Sequence, residues 1–85
     1  NYPNPFNSGT TIEYSLTQPT EVNLAIYDLT GKLINTLVDY DQPTGRFTVH
    51  WNGIGQRGTP VSAGVYFCRL QTADYNRTIK MLLLK

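Results

Sequence analysis

The chain has 85 residues, 40% of them hydrophobic, and its seven Lys and Arg nearly balance its six Asp and Glu. That length fits one small domain spanning residues 1–85, and the lack of any basic run excludes the positive patch with which proteins bind nucleic acid. Membrane insertion is excluded too, because the longest apolar run, residues 81–84, falls far short of the about 20 apolar residues that a span requires.

The opening segment, NYPNPFN (residues 1–7), carries two prolines two positions apart. Pro3 and Pro5 each fix the φ angle and remove a backbone donor, so this segment cannot be a central strand. We expect it to run extended and to act as a clasp, with Tyr2 and Phe6 packing across the mouth of the fold. A proline-rich peptide ligand is the alternative interpretation, although the spacing is not PxxP.

Alternation of apolar and polar residues predicts the first two strands. In TTIEYSL (residues 10–16), the residues on the apolar face are Ile12, Tyr14 and Leu16. In EVNLAIYD (residues 21–28), the expected inward residues are Val22, Leu24 and Ile26, and the expected outward residues are Asn23, Ala25 and Tyr27. Pro19 separates the two strands, because proline ends a regular ladder of hydrogen bonds.

The middle of the chain predicts a hairpin and a further strand. DLTG is the hairpin turn, because Gly31 is free to adopt a positive φ angle. The next strand, GKLINTLVD, is less regular, since its apolar residues come in pairs and do not alternate. After a second turn at DQPTG, the strand RFTVHW returns to alternation, and its expected inward residues are Phe47, Val49 and Trp51.

Residues 52–64 are rich in glycine and predict a wide loop from which Val61 returns to the core. The long aromatic strand GVYFCRLQT (residues 64–72) is expected at the centre of a sheet. Short strands at regular spacing, with turn residues between them, are typical of an antiparallel β-sandwich. We therefore predict an all-β sandwich of about seven strands, joined mainly by hairpins, with a crossing between the sheets.

The last strand, TIKMLLLK, departs from simple alternation. Its expected core residues are Ile79, Met81 and Leu83. Leu82 and Leu84 then fall on the outer face, where a strand that is buried on one side has no use for them. An exposed apolar pair predicts a docking surface, which we assign to Lys80, Leu82, Leu84 and Lys85. The alternative is that a neighbouring segment, such as residues 1–7, covers the two leucines.

Few residues could support catalysis or bind a metal. His50, the only histidine, lies between Val49 and Trp51 and should point outward from a strand. Cys68, the only cysteine, is expected to be buried, with an intermolecular disulfide or a reactive thiol as the alternative. The two aspartates of DYD, Asp39 and Asp41, could bind Ca²⁺ weakly but lack the other ligands of a calcium loop. We therefore predict a domain that is not an enzyme and has no cofactor or metal.

Several motifs, taken together, resemble one known family. They are YPNPFN at the start, IYDLTG in the hairpin, GVYF in the long strand and the final KMLLLK. The chain resembles the type A C-terminal sorting domain of the type IX secretion system along essentially its whole length. The same pattern is similar to the Ig-like domain of the flagellar hook-capping protein, so the resemblance implies an Ig-like sandwich.

This resemblance implies a function and a location. Such domains stand at the C-terminus of proteins exported by Gram-negative bacteria, and the outer-membrane machinery of the type IX system recognises them after transit through the periplasm. We accordingly expect a non-catalytic sorting module of a secreted or cell-surface protein, with the type IX machinery as its partner.

Two other functions stay open. The domain could self-associate as a homo-oligomeric subunit of an extracellular filament or hook-like assembly. It could also be a carbohydrate-binding module, if Tyr27, Tyr40, Tyr66 and Tyr75 formed a platform, although exposed aromatic residues on sandwiches more often form packing pairs.

Overall fold

The computed structural model of the chain describes residues 4–6 as backbone and residues 9–84 in full. These residues form six strands of seven or more residues and one strand of three. The strands are β1 (Asn4–Phe6), β2 (Thr10–Leu16), β3 (Thr20–Asp28), β4 (Leu33–Gln42), β5 (Gly45–Trp51), β6 (Gly64–Thr72) and β7 (Asn76–Leu83). The predicted strands TTIEYSL and GVYFCRLQT coincide with β2 and β6.

The strands form two sheets that enclose one core. The large sheet has five strands in the order β1-β7-β6-β3-β4, and the small sheet pairs β2 with β5. All pairs are antiparallel except β1 with β7. The predicted β-sandwich is therefore confirmed, with β6 at the centre of the large sheet as expected. The parallel β1 is the one departure from an antiparallel arrangement.

Residues 4–6 of the opening segment lie at an edge of the large sheet, as Pro5 predicts. The backbone of β1 pairs only with β7, and Pro5 stands opposite Leu82. An edge position suits proline because its missing N–H is not needed by a second neighbour. The expected clasp contacts of Tyr2 and of the Phe6 side chain lie outside the described residues.

The core contains the inward residues that the alternation predicts. Its buried members from the small sheet are Ile12, Tyr14, Leu16 and Trp51. Those from the large sheet are Val22, Leu24, Ile26, Val38, Tyr66, Cys68, Leu70, Met81 and Leu83. Phe47, Val49, Val61 and Ile79 pack against this cluster and are only partly buried. The burial of Cys68 raises the pKa of its thiol to about 12, so the thiol stays protonated and unreactive.

Trp51 anchors one end of the core. Its ring packs edge-on against Tyr66, with 5.4 Å between the ring centroids. Its indole Nε1 donates a hydrogen bond of 2.9 Å to the carbonyl oxygen of Ile54, in the loop that follows β5. The tryptophan therefore buries a large apolar surface while its one polar atom is satisfied, which is the arrangement that a core tryptophan requires.

Ala25 corrects one part of the predicted pattern. Its position alternates outward as expected, yet it is only 1% exposed. It lies opposite Thr36 on one neighbouring strand and Arg69 on the other, and the side chains around it are longer than its methyl group. The sequence pattern therefore predicts which face of the sheet a side chain points to, whereas the exposure of that side chain depends on its neighbours in the adjacent strands.

The paired apolar residues of β4 reflect two irregularities in its pairing with β3. Leu24 stands opposite Val38 and Ala25 opposite Thr36, so Leu37 is an extra residue on β4. A second register shift near Tyr27 leaves Ile34 as another extra residue. Each extra residue reverses the alternation of the bulged strand. This is why the apolar residues of β4 occur in pairs.

The hairpin turn between β3 and β4 has the predicted form. Gly31 adopts a φ of 89°, and its N–H donates to the carbonyl oxygen of Asp28. The Asp28 carboxylate accepts hydrogen bonds from the backbone N–H of Thr30 and of Lys32 and from the Thr30 hydroxyl. An aspartate that caps its own turn in this way stabilises the tight reversal.

Four of the connections cross between the sheets, from β1 to β2, β2 to β3, β4 to β5 and β5 to β6. The short link at Pro43 and Thr44 crosses from β4 in the large sheet to β5 in the small sheet. The loop at residues 52–63 returns the chain to the large sheet, and a bridge between Ile54 and Pro60 narrows it. Val61 packs against the core from this loop, which confirms the prediction that it returns inward.

Candidate interaction surface

The outer face of the large sheet carries a cluster of apolar and cationic side chains. In the pairing of β6 with β7, Val65 stands opposite Leu82 and Phe67 opposite Lys80. In the pairing of β3 with β6, Phe67 stands opposite Tyr27. These residues alternate with buried core residues and so point away from the small sheet. We call the group the outer patch: Tyr27, Val65, Phe67, Arg69, Lys80 and Leu82.

The structure places the leucines of the last strand largely as predicted. Met81 and Leu83 are buried, and Ile79 packs on the core, so the predicted register of β7 is right. Leu82 is half-buried on the outer face, and Leu84, just beyond β7, is 42% exposed. Lys80 is exposed beside them. Lys85, the remaining residue of the predicted docking surface, lies outside the described residues.

Arg69 is held flat on the outer face by Tyr27. Its Nη2 donates a hydrogen bond of 2.9 Å to the Tyr27 hydroxyl, and its guanidinium carbon lies 4.9 Å from the centroid of the Tyr27 ring. This cation–π contact fixes a long side chain that would otherwise be mobile. The Arg69 Nε is buried without a hydrogen-bond partner among the described residues. The sequence alone does not reveal this pair, since it depends on the register between β3 and β6.

Charge is distributed unevenly along the outer face. Within the described part of the chain, no carboxylate lies within ion-pair distance of Arg69 or Lys80. At the far end of the face, Glu21 stands directly opposite Asp41. The rows of Glu21 and Tyr27 are six residues apart, or about 20 Å along an extended strand. The outer patch is thus the cationic end of a polarised surface.

A shallow groove extends the outer patch toward the β3–β4 turn. It encloses about 290 Å³ and is lined by Tyr27, Phe67, Arg69 and Thr78 together with turn residues 28, 29 and 31. Leu29, at the tip of the turn, is 71% exposed. The groove and the patch together offer an apolar surface bordered by the cations of Arg69 and Lys80 and by the carboxylate of Asp28, which is suited to binding another protein and not to enclosing a small molecule.

The other candidate residues do not gather into a site. His50 is exposed, as predicted, and its Nδ1 lies 3.3 Å from the Thr11 hydroxyl. Asp39 and Asp41 are exposed, and no cluster of three or more His, Cys, Asp or Glu in residues 9–84 could hold a metal ion.

The four tyrosines do not form one platform. Tyr66 is buried in the core, and Tyr27 lies under Arg69 on the outer face. Tyr40 and Tyr75 are exposed, but Tyr40 shares the inward-facing side of β4 with buried Val38. The four rings therefore do not lie on one face, since Tyr66 is buried and Tyr27 is on the opposite face of the large sheet from Tyr40.

Comparison with known proteins identifies relatives of this architecture. A family described as the FlgD Ig-like domain matches residues 4–75. No curated protein matches the chain. Across the described residues, no helix has the length and apolar character that a membrane span requires.

Two solved structures have a similar fold. FlgD from P. aeruginosa superposes with a TM-score of 0.66 at 20% identity, over 85% of this chain and 57% of that one. PorZ of Porphyromonas gingivalis, described as an essential bacterial surface component of the type IX secretion system, gives 0.65 at 26% identity, over 99% of this chain and 11% of that one. The chain thus spans about half of the FlgD structure and about a tenth of the PorZ structure.

Proposed function

The chain belongs to the FlgD Ig-like domain family, and from that premise we propose that residues 1–85 form one non-catalytic domain that directs a protein to the type IX secretion machinery. The motifs that resemble type IX sorting domains support this function, as does the similarity to PorZ, a surface component of that system. The proposed location follows from the same two observations: the cell surface or the medium, reached through the periplasm of a Gram-negative bacterium.

The outer patch is the observation that carries the proposal. A sorting domain acts by presenting a surface to a receptor, and the patch combines apolar side chains with two cations that lack carboxylate partners in the described chain. Leu82 and Leu84 supply apolar contact area at the end of the last strand, and Lys80 with Arg69 would select a partner surface that carries carboxylates. Lys85 is included in the proposed surface because it follows Leu84 directly.

The proposed function is tested by export of a reporter. The reporter carries a signal for the periplasm, is followed by Asn1–Lys85, and is expressed in a host that has the type IX system. We expect it to appear on the cell surface or in the medium, and not when the host lacks a working system. A reporter that stays in the periplasm in both hosts contradicts the sorting function.

The docking surface is tested separately with variants of the same fusion. Leu82→Ser together with Leu84→Ser should block export while the circular dichroism spectrum stays that of a folded domain. Tyr75→Ser is the matched control, because Tyr75 has an exposure of 44% against 42% for Leu84 and lies in the β6–β7 turn. Normal export by a folded double variant contradicts docking through Leu82 and Leu84. Leu84→Ser alone serves if the double variant unfolds.

A second candidate function, self-assembly, is favoured by the polarised outer face. The cationic end of one copy, at Arg69 and Lys80, could lie over the acidic end of the next, at Glu21 and Asp41. Such a head-to-tail contact would continue from copy to copy and build a filament. Sedimentation at low salt should then show large assemblies that dissociate in about 0.5 M salt, where such charges are screened. A monomer under both conditions contradicts self-assembly.

A further inference from the structure

The small sheet is much narrower than the large sheet that it faces. It sets two strands of seven residues each against a large sheet of five strands. Immunoglobulin-type sandwiches oppose sheets of more equal width, and a two-stranded pair is the least stable form of sheet. In the described chain β2 and β5 pair only with each other, so residues 46–49 of β5 and residues 12–15 of β2 have no neighbouring strand on their outer side.

Burial across the small sheet differs sharply between its two strands. Ile12 stands opposite Val49, and Tyr14 opposite Phe47, so the members of each pair lie at the same depth along the sheet. The two β2 residues are 2% and 8% exposed, whereas their β5 partners are only partly buried. The core is therefore covered on the flank of β2 and open on the flank of β5.

A tyrosine on the large sheet marks the same open flank. Tyr40 and Val38 lie on the inward face of β4, yet Tyr40 is 61% exposed and Val38 only 3%. The next inward residue, Gln42, accepts a hydrogen bond from Tyr14, whose ring stacks on Phe47 at 5.4 Å between centroids. Apolar groups on both sheets, Tyr40 on one and Phe47 on the other, thus lack a cover at this end of the sandwich.

The outward side chains of β5 indicate which charge a strand added at the edge of β5 should carry. Arg46 is exposed and forms no ion pair among the described residues; Glu13 of β2 lies diagonally across from it, since Arg46 is opposite Ser15 and Thr48 is opposite Glu13. Pairing two copies of β5 antiparallel about Thr48 would put Arg46 opposite His50, which supplies no carboxylate. A strand with an acidic outward residue satisfies Arg46, since opposite charges in cross-strand positions stabilise a sheet and like charges do not.

We propose that the free edge of β5 accepts an extended strand from a partner protein, whose alternate apolar side chains cover Phe47, Val49 and Tyr40 and whose outward face places a carboxylate beside Arg46. In this mode of recognition, backbone hydrogen bonds supply affinity, and the alternating side chains supply specificity. The added strand would widen the small sheet to three strands. This edge is distinct from the outer patch, so the two surfaces can hold different partners.

The probe is a synthetic peptide, acetylated and amidated, with the sequence TTIEYSL. That sequence is β2 itself, which already matches β5 with apolar residues inward and Glu13 outward. In nuclear magnetic resonance spectra of the labelled 85-residue chain, we expect the peptide to shift the amide signals of residues 46–49 and of Tyr40. The signals of Val65 and Phe67 on the outer patch should not move. A peptide of the same composition in shuffled order is the control.

Peptides methylated at alternate backbone nitrogens test whether the peptide pairs as a strand. Only one edge of an added strand faces β5, so methylating one alternate set of nitrogens should weaken binding by about tenfold or more, and methylating the other set should change it by less than about threefold. Equal binding by both sets overturns strand addition. Shifts centred on the outer patch, or equal binding of the shuffled peptide, overturn it as well.

Charge and stoichiometry complete the test. Arg46→Glu should weaken binding of the peptide by about threefold to fivefold, and replacing the peptide's glutamate with lysine should restore it. If peptide binding is unchanged in both combinations, Arg46 does not have the assigned role, and the partner does not need an acidic residue. Sedimentation equilibrium should show a monomeric chain without peptide. If the chain is instead a dimer, and the peptide dissociates that dimer with the same sensitivity to methylation, the edge binds a second copy of the chain. That result overturns the partner-protein proposal.

Discussion

Leu83 and Leu82 are neighbours on β7, but they occupy different environments on the two faces of the large sheet. Leu83 is 1% exposed and packs in the core, where its methyl groups approach Gly53. Leu82 is half-buried on the outer face opposite Val65. The side chains are identical, so the difference lies in what covers each face: the small sheet and the loop at residues 52–63 cover the inner one.

This difference separates folding from binding. Apolar area on the inner face is removed from water when the chain folds, and it stabilises the domain. Apolar area on the outer patch keeps part of its exposure and can contribute again when a partner covers it. Mutations on the inner face should therefore lower stability, and mutations on the outer patch should lower binding with little loss of stability.

The largest expected effect is at Trp51, which closes the core between the sheets. Trp51→Ala should lower the free energy of unfolding by about 3–5 kcal/mol, which is most of the stability of a small domain. Trp51→Phe keeps a ring but loses the hydrogen bond to Ile54, so it should cost about 1–2 kcal/mol. Thermal unfolding followed by circular dichroism measures both. A melting temperature for Trp51→Ala within a few degrees of wild type would show that the core does not depend on this ring.

The leucine pair tests the comparison directly. Leu83→Ala should cost about 2–5 kcal/mol, because it leaves a cavity in a closed core. Leu82→Ala should cost about 1 kcal/mol or less, since its side chain is only half removed from water. Urea denaturation of the two variants measures the difference under one set of conditions. Equal losses at both positions contradict the division between an inner stabilising face and an outer binding face.

The strand pattern explains how much of the fold the sequence predicts. Alternation in β2, β5 and β6 is strict, so the inward residues of these strands follow directly from a period of two. Pairing partners do not follow from it, because alternation is the same whichever strand lies alongside. The register shifts of β4 and the parallel pairing of β1 with β7 therefore became visible only in the structure.

The sequence likewise predicts one part of the candidate surface and not the rest. Leu82 and Leu84 are visible in the sequence as leucines that alternation sends outward. Tyr27 and Arg69 are 42 positions apart and meet only because β3 pairs with β6 in one register. The open flank of β5 is also invisible in the sequence, since Phe47 and Val49 have the same pattern as fully buried residues. Exposure at an edge depends on the number of strands in the sheet, which local sequence does not encode.

A smaller effect on stability, with a larger one on export, is expected at Arg69. Arg69→Met keeps the apolar stem and removes both the charge and the buried Nε that has no partner in the described residues. The lost contact with Tyr27 and the relief of that unpaired group oppose each other, so the free energy of unfolding should change by about 1 kcal/mol or less. Export of the reporter fusion should nevertheless fall.

Two further variants show which feature of Arg69 is responsible for the expected fall in export. Tyr27→Phe removes the hydroxyl that accepts from Arg69 but keeps the ring beneath it, so it should leave export near the wild-type level. Arg69→Lys keeps the charge without the planar fork and should give an intermediate level. Full export by a folded Arg69→Met variant would mean that the cation is not part of the docking surface.

The smallest expected effect is the pH dependence that comes from the β3–β4 turn. The Thr30 hydroxyl donates to the Asp28 carboxylate at 2.7 Å, and the backbone N–H of Lys32 donates to it at 3.0 Å. These hydrogen bonds, that of the Thr30 hydroxyl above all, lower the pKa of Asp28 below its ordinary value of 3.8. Because the pKa is lower in the folded chain, ionised Asp28 stabilises the fold. That contribution is complete above the ordinary value and is lost as pH falls through the folded pKa.

Asp28→Asn isolates this contribution, because an amide oxygen still accepts hydrogen bonds in the turn but does not titrate between about pH 6 and about pH 2. Melting temperatures of both proteins are measured across that range, and the difference between them cancels the titration of the other carboxylates. The wild type should be the more stable near neutral pH, and its advantage should shrink as acid protonates Asp28. The turn is exposed to solvent, so the shift should be small beside the loss at Leu83. Parallel curves over the whole range would show that the turn does not depend on the charge of Asp28, and that its stability rests on Gly31 and the backbone bonds alone.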